Sequence, residues 1–219
     1  MVEISTSILN VDEKEAMQVF YDLEVARTDY YHIDVMDGKF VQNDTTNKMN
    51  EYATNIKQIS NVPLDVHLMV ENIRDYIERY LPLEPNFITI HYEACKDKKE
   101  VKEILKYIKQ NNVKCGLSIK PNTKVEEIYE FLPYINLCLI MTVEPGKGGQ
   151  NLIPETINKI SKLKEYVYQN NLETYIEADG GINLENADKL KEAGVDIMVV
   201  GSAIIKSKDF KKTIEQLKK

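Results

Sequence analysis

The sequence predicts an α/β chain, a single-domain (β/α)8 barrel of the TIM type with a closed, parallel, eight-stranded sheet spanning residues 1–219. Three observations predict it. Short apolar or β-branched runs alternate with longer amphipathic ones from end to end, the pattern of a parallel sheet covered by helices. No Pro/Ser-rich linker or low-complexity segment interrupts the alternation. No Gly-x-Gly-x-x-Gly follows the first strand, where Ile8-Leu9-Asn10-Val11-Asp12 holds no glycine, so a doubly wound dinucleotide fold is disfavoured.

In order, strands are expected at Ile4–Leu9, Tyr30–Met36, Leu64–Met69, Phe87–His91, Lys114–Ile119, Leu137–Thr142, Thr174–Ala178 and Ile197–Val200. Each is a short run of β-branched, aromatic or leucine residues bounded by turn formers. Helices are expected at Asp12–Ala26, Asn47–Ile59, Ile73–Leu81, Lys98–Gln110, Lys124–Phe131, Pro154–Tyr168, Leu184–Glu192 and Lys208–Leu217. Asn122 or Thr123 ahead of the fifth helix, and Asn183 ahead of the seventh, are side-chain acceptors of the kind that start helices. Gly194 stands where a left-handed residue would end the seventh. At 219 residues the chain is at the short end for such a barrel but long enough to bury a large core.

Twenty-eight basic against 35 acidic residues leave a net charge of −7. Nucleic acid and anionic membrane surfaces reward basic patches, so neither is expected as a partner. Cys95, Cys115 and Cys138 are odd in number and widely spaced, which predicts neither a disulfide framework nor a zinc-cluster motif. The first residues read as no signal peptide, and no apolar run is long enough for a bilayer. A cytoplasmic location is expected.

The chemistry is expected at the C-terminal strand ends, which a barrel gathers on one face. His32-Ile33-Asp34-Val35-Met36 aligns His32, Asp34 and Met36 on one side of a strand, since side chains alternate. Asp65, His67 and Met69 align in the same way, and Asp179 closes the seventh strand. All three histidines, His91 included, fall at such ends. His32, Asp34, His67 and Asp179 offer two nitrogens and two oxygens, a suitable set for one divalent Zn2+, Fe2+, Mn2+ or Co2+ ion. Two carboxylates held by one cation would be ionised near neutral pH, and each could take a proton from a bound substrate.

Glycine clusters follow the last three strands: Gly146, Gly148 and Gly149 around Lys147, then Gly180-Gly181, then Gly201-Ser202. One Gly-Gly pair is ordinarily just a tight turn. Three clusters in consecutive units point to backbone N–H groups gathered around a phosphate. Met36, Met69 and Met141 end the second, third and sixth strands and could form a soft, dry wall over a delocalised anion. Ser7 could donate a hydrogen bond to a substrate oxygen.

Together these stretches resemble the ribulose-phosphate 3-epimerase family. The resemblance is carried by Ser7-Ile8-Leu9, His32 to Val41, Asp65 to Val70, His91-Tyr92-Glu93, Met141 to Gly146 with Gly148-Gly149-Gln150, Asp179-Gly180-Gly181 and Gly201-Ser202-Ala203. It implies the four metal ligands just named, Asp34 and Asp179 as the acid/base pair, Ser7 and His67 as substrate contacts, and the glycine clusters with Ser202 as the phosphate holder. It also implies inversion at C3 of a ketose phosphate, ribulose 5-phosphate to xylulose 5-phosphate, through a cis-enediolate, in a homo-oligomer, a dimer or a hexamer. The chain departs from the family's usual pattern at Thr6 and Gln42, where proline is common, at Thr45 to Lys48, and at Lys147, where a bulky apolar residue is usual. These departures border the expected mouth and leave open a ketohexose such as allulose 6-phosphate as the substrate. A decarboxylase or aldolase would need a strand-end lysine, and Lys120 is the one candidate. A sensor without catalysis would bind the sugar phosphate but exchange no C3 hydrogen.

Overall fold

Strands and helices alternate as the side-chain periodicities dictate in a computed structural model that describes residues 1–219. The strands are β1 (Glu3–Ser7), β2 (Tyr30–Met36), β3 (Leu64–Met69), β4 (Phe87–His91), β5 (Lys114–Ile119), β6 (Leu137–Met141), β7 (Tyr175–Asp179) and β8 (Ile197–Val200). They pair in sequence order, all parallel, and β8 closes on β1. The helices are α1 (Ala16–Val25), α2 (Thr46–Ile59), α3 (Ile73–Tyr80), α4 (Lys98–Gln110), α5 (Glu155–Gln169), α6 (Ala187–Ala193), α7 (Ser202–Ile205) and α8 (Phe210–Lys218). No helix is long and apolar enough to cross a membrane.

Most boundaries match or shift by one or two residues, and four elements differ from the sequence expectation by more, each for a local reason. A 3-10 segment, Val125–Tyr134, replaces the expected fifth α-helix. Pro133 lies inside it and denies an α-helix its N–H donor, and the segment starts on the Glu127 carboxylate, which accepts the Lys124 N–H, rather than on Asn122 or Thr123. Asp12 caps a turn, accepting the Lys14 N–H at 2.9 Å, so α1 starts at Ala16. Asn183 accepts the Glu185 N–H at 2.8 Å, and its own N–H donates to Asn186 Oδ1 at 2.9 Å, so α6 starts at Ala187. The one-turn helix α7 has no sequence counterpart; four residues are too few to show a period. Gly194 ends α6 in the left-handed region, as expected.

Strand alternation divides the core into two parts. Tyr31, Ile33 and Val35 of β2 face the helices, and Tyr31 packs edge-on against Phe20 of α1. They belong to a cluster of 53 buried residues between sheet and helices. Inside the barrel, Phe87, Leu137, Leu139, Met141, Val143 and Ile197 form a separate apolar cluster. The Tyr30, Phe87 and Tyr175 rings, with centroids 5.7 and 6.4 Å apart, line its N-terminal end. A Cβ on Gly116 would lie 2.2 Å from Thr89 Oγ1, so glycine there lets the neighbouring strand's side chain fill the interior. The floor is therefore packed, and polar inward-facing side chains collect above it.

Candidate active site

Parallel register places the polar strand ends side by side. His32 pairs with Asp65, Asp34 with His67, and Met36 with Met69 across β2 and β3, while Met141 pairs with Asp179 across β6 and β7. The ligating atoms of His32, Asp34, His67 and Asp179 all lie within 4.8 Å of one another. His32 Nε2 is 3.4 Å from Asp34 Oδ1 and 3.9 Å from Asp179 Oδ2, and His67 Nδ1 is 3.6 and 3.7 Å from the same two oxygens. These separations are too long for good hydrogen bonds. They approach the edge of a tetrahedron whose centre lies ~2.1 Å from each donor, which is about 3.4 Å. Both ring nitrogens are buried without a hydrogen-bond partner. Two buried, unpartnered ring nitrogens facing two carboxylates fit one divalent cation.

Each histidine is held through its other nitrogen. His32 Nδ1 lies 2.6 Å from Asp65 Oδ2, which also accepts the Ser5 hydroxyl at 2.7 Å. His67 Nε2 lies 3.0 Å from His91 Nε2, and His91 Nδ1 lies 3.1 Å from Glu93. Asp34 accepts the Ser7 hydroxyl at 2.8 Å.

The charges push the titrations apart. Burial works against a proton on His32, but Asp65 and Asp34 outweigh it and hold the imidazole well above the usual histidine range. Burial opposes ionisation of Asp34, yet His32 and His67 pull its carboxyl far below the ordinary carboxylate range. Asp179 goes the other way, pushed up to about 6 by burial and by the charge of Asp34. Burial and Asp65 push the Glu177 carboxyl well above its usual value. Burial drives His91 down to about 4. For Glu93 burial is outweighed by the hydrogen bond to His91, which leaves it at about 2. So many buried acids around two imidazoles call for positive charge, which a protonated His32 or a cation can supply.

Above this cluster a pocket is lined by Ser7, Asp34, Met36, Met69, Met141, Asp179 and every glycine of the three strand-end clusters, with Lys147 and Ser202. The N–H groups of Gly148, Gly149, Gly180, Gly181 and Gly201 have no acceptor within the chain. Their surroundings are fixed by the opposite polarity. Gln150 Nε2 donates to the Glu144 and Lys147 carbonyls at 2.7 and 2.8 Å, Thr142 Oγ1 to the Gly180 carbonyl at 2.6 Å, and Asn43 Nδ2 to the Gly146 carbonyl at 2.7 Å. At Gly181, φ is +68° and a Cβ would lie 2.3 Å from the Leu152 nitrogen, so no other residue fits.

His32 and His67 do not line the pocket surface; they lie beneath it, fully buried. Sequence reasoning passed over Asp65, Glu177 and Glu93 as site residues, and it passed over Asn10, which lines the pocket beside Gly148. Asp65 and Glu177 carry the same signal as the His32/Asp34 pair, an ionisable residue two positions before another on one strand face. Lys120 is no strand-end nucleophile: its ammonium sits 4.1 Å over the Phe40 ring, outside the pocket. Lys48, in the atypical run that opens α2, donates to the Leu9 and Val11 carbonyls at 3.1 and 3.0 Å and braces the β1 loop.

A closed parallel barrel with buried histidines and carboxylates at its C-terminal strand ends, beneath a pocket walled by glycine N–H groups, has the layout of a barrel enzyme. Residues 3–205 match the ribulose-phosphate 3 epimerase family. The chain is 39% identical to the ribulose-phosphate 3-epimerase of Helicobacter pylori (strain J99) over 217 residues, covering 99% of this chain and 96% of that one. It is 35% identical to that of Bacillus subtilis, covering 100% and 99%. The chain belongs to the ribulose-phosphate 3 epimerase family and is an epimerase, which makes it an isomerase. Among solved structures, KGPDC from Streptococcus mutans superimposes with a TM-score of 0.73 at 10% identity, covering 100% of this chain and 96% of that one. The 3-hexulose-6-phosphate synthase of Salmonella typhimurium does so at 0.68 and 14%, covering 99% and 96%. At such identities these share the fold alone.

Proposed function

We propose that the protein interconverts D-ribulose 5-phosphate and D-xylulose 5-phosphate by moving the C3 proton with two aspartates. The observation that carries this reading is the convergence of His32, Asp34, His67 and Asp179, with two unpartnered ring nitrogens, directly beneath a pocket whose other wall is unpaired glycine N–H groups. His32, Asp34, His67 and Asp179 would hold one divalent cation, Zn2+, Fe2+, Mn2+ or Co2+, which when bound supplies Lewis acidity for the charge that develops next to C3. The glycine clusters and Ser202 bind the phosphate and turn that remote contact into orientation at C3.

Inversion without turning the substrate over requires one group to remove the proton from one face and another to return it from the opposite face. Without a cation Asp34 is held well below the usual carboxylate range and Asp179 is raised to about 6. On one cation both would be ionised, and each could take the C3 proton from its own face. Ser7 steadies Asp34 through its hydroxyl, and Met36, Met69 and Met141 keep water from the intermediate. The ligand is a small sugar phosphate, and the protein works as a homo-oligomer, a dimer or a hexamer.

Purified protein assayed on ribulose 5-phosphate and allulose 6-phosphate, with and without a chelator, tests the reading. A higher kcat/KM on the pentose, lost to chelator and restored by added metal, is the expected result. Preference for the hexose would reassign the substrate, and indifference to chelator would remove the cation.

A further inference from the structure

We infer that Glu93 and His91 are positioning residues that fix which nitrogen of His67 carries its proton, and so aim a lone pair at the ligand cluster. This deepens the reading above and rests on it for the metal. Two ring nitrogens 3.0 Å apart, as in the pair of His67 and His91, cannot both be N–H and cannot both be lone pairs. One donates and the other accepts. The direction is set at the far end of His91, whose Nδ1 faces the Glu93 carboxylate at 3.1 Å, a group that only accepts. His91 therefore keeps its single proton on Nδ1 and presents a lone pair at Nε2. His67 must donate from Nε2, which leaves Nδ1 bare toward Asp34 and Asp179. Glu93 is pinned in turn, because its Oε1 takes the Lys120 N–H at 2.7 Å and the Thr123 hydroxyl. Asp65 grips His32 directly through the opposite ring nitrogen, with no relay between. The relay spans β3, β4 and the β5 loop and lies outside the pocket.

Glu93→Gln reverses it. With Oε1 committed to two donors, the amide must turn its NH2 toward His91 Nδ1, which then accepts. His91 moves its proton to Nε2, and His67 must carry its own on Nδ1, where a cation would bind. Long-range 15N–1H spectra of metal-free wild type are expected to show His67 protonated at Nε2 and His91 at Nδ1. In Glu93→Gln both patterns should invert, and Zn2+ affinity by chelator competition should fall about 10- to 100-fold. A wild-type His67 protonated at Nδ1 overturns the inference whether or not the variant folds. So does a folded Glu93→Gln protein with wild-type tautomers and unchanged Zn2+ affinity, since a merely structural Glu93 would lower only thermal stability. Wild-type protein with the expected tautomers but no Zn2+ binding would leave the relay standing and defeat the metal reading instead.

Discussion

The two sides of the barrel serve the pocket with different chemistry. The β1–β3 side contributes side chains: Ser7, His32, Asp34 and His67, three of them fully or nearly fully buried on strands with their partners fixed by register. The β6–β8 side contributes backbone: glycine N–H groups on exposed or half-buried loops, held in place by bonds to neighbouring carbonyls. Asp179 is the exception, a side chain from β7 that completes the cluster built on β2 and β3. Groups that must hold or release a proton at a set pH need a dry, rigid site, because burial and close charges are what shift a pKa. A phosphate needs only converging donors, and backbone supplies these without net charge. That is how a chain with a net charge of −7 can take an anionic substrate.

Replacing the exception should have the largest effect. Asp179→Asn keeps an oxygen for a cation but removes a carboxylate that the proposed two-aspartate scheme needs, so interconversion should drop by about 10⁴-fold. In heavy water the variant should wash deuterium into C3 of one epimer only, and Asp34→Asn into the other. Equal exchange in both epimers, read by NMR or mass spectrometry, would leave a single base and end the two-aspartate scheme.

Next is the β1–β3 side itself. His67→Ala should weaken metal binding by about 100- to 1000-fold while the circular dichroism of the barrel is kept, since one of the four proposed ligands is lost. Normal metal content and turnover would take His67 out of the cluster.

The same side should also respond to acid. Burial lowers His91 to about 4 in the folded state, below the value of about 6.5 in the unfolded chain. A depressed folded pKa contributes stability that is whole above the unfolded value and is lost as pH falls toward the folded one. His91 by itself should therefore take on the order of 2–3 kcal/mol from the stability of metal-free protein between pH ~6.5 and ~4, read by denaturant unfolding as the difference between wild type and His91→Gln. An equal slope in the variant would assign the loss to other groups.

The smallest effect belongs to the β6–β8 side. Lys147 lines the pocket among glycines, and Lys147→Ala should raise KM by about 1 kcal/mol, roughly fivefold, with kcat unchanged. An unchanged KM at low salt would show that backbone alone holds the phosphate.

Much of this was legible residue by residue. His32/Asp34 and Asp65/His67 are each two apart on a strand, so alternation alone puts each pair on one face, and eight strand–helix alternations imply a closed barrel that gathers such faces. The glycine clusters also declare themselves, because few other roles need three of them in consecutive units. What the sequence by itself determined is therefore the barrel, the identity of the four converging side chains and the face on which they meet. The tertiary structure alone decided their partners: that His32 is set by Asp65, that His67 is set by Glu93 through His91, and that Asp34 and Asp179 are driven to opposite sides of the usual carboxylate range. Periodicity is a local property of one strand, whereas a pKa or a tautomer depends on distances of a few ångströms between groups from different strands. Those distances exist only once β2, β3, β4 and β7 are closed around one interior.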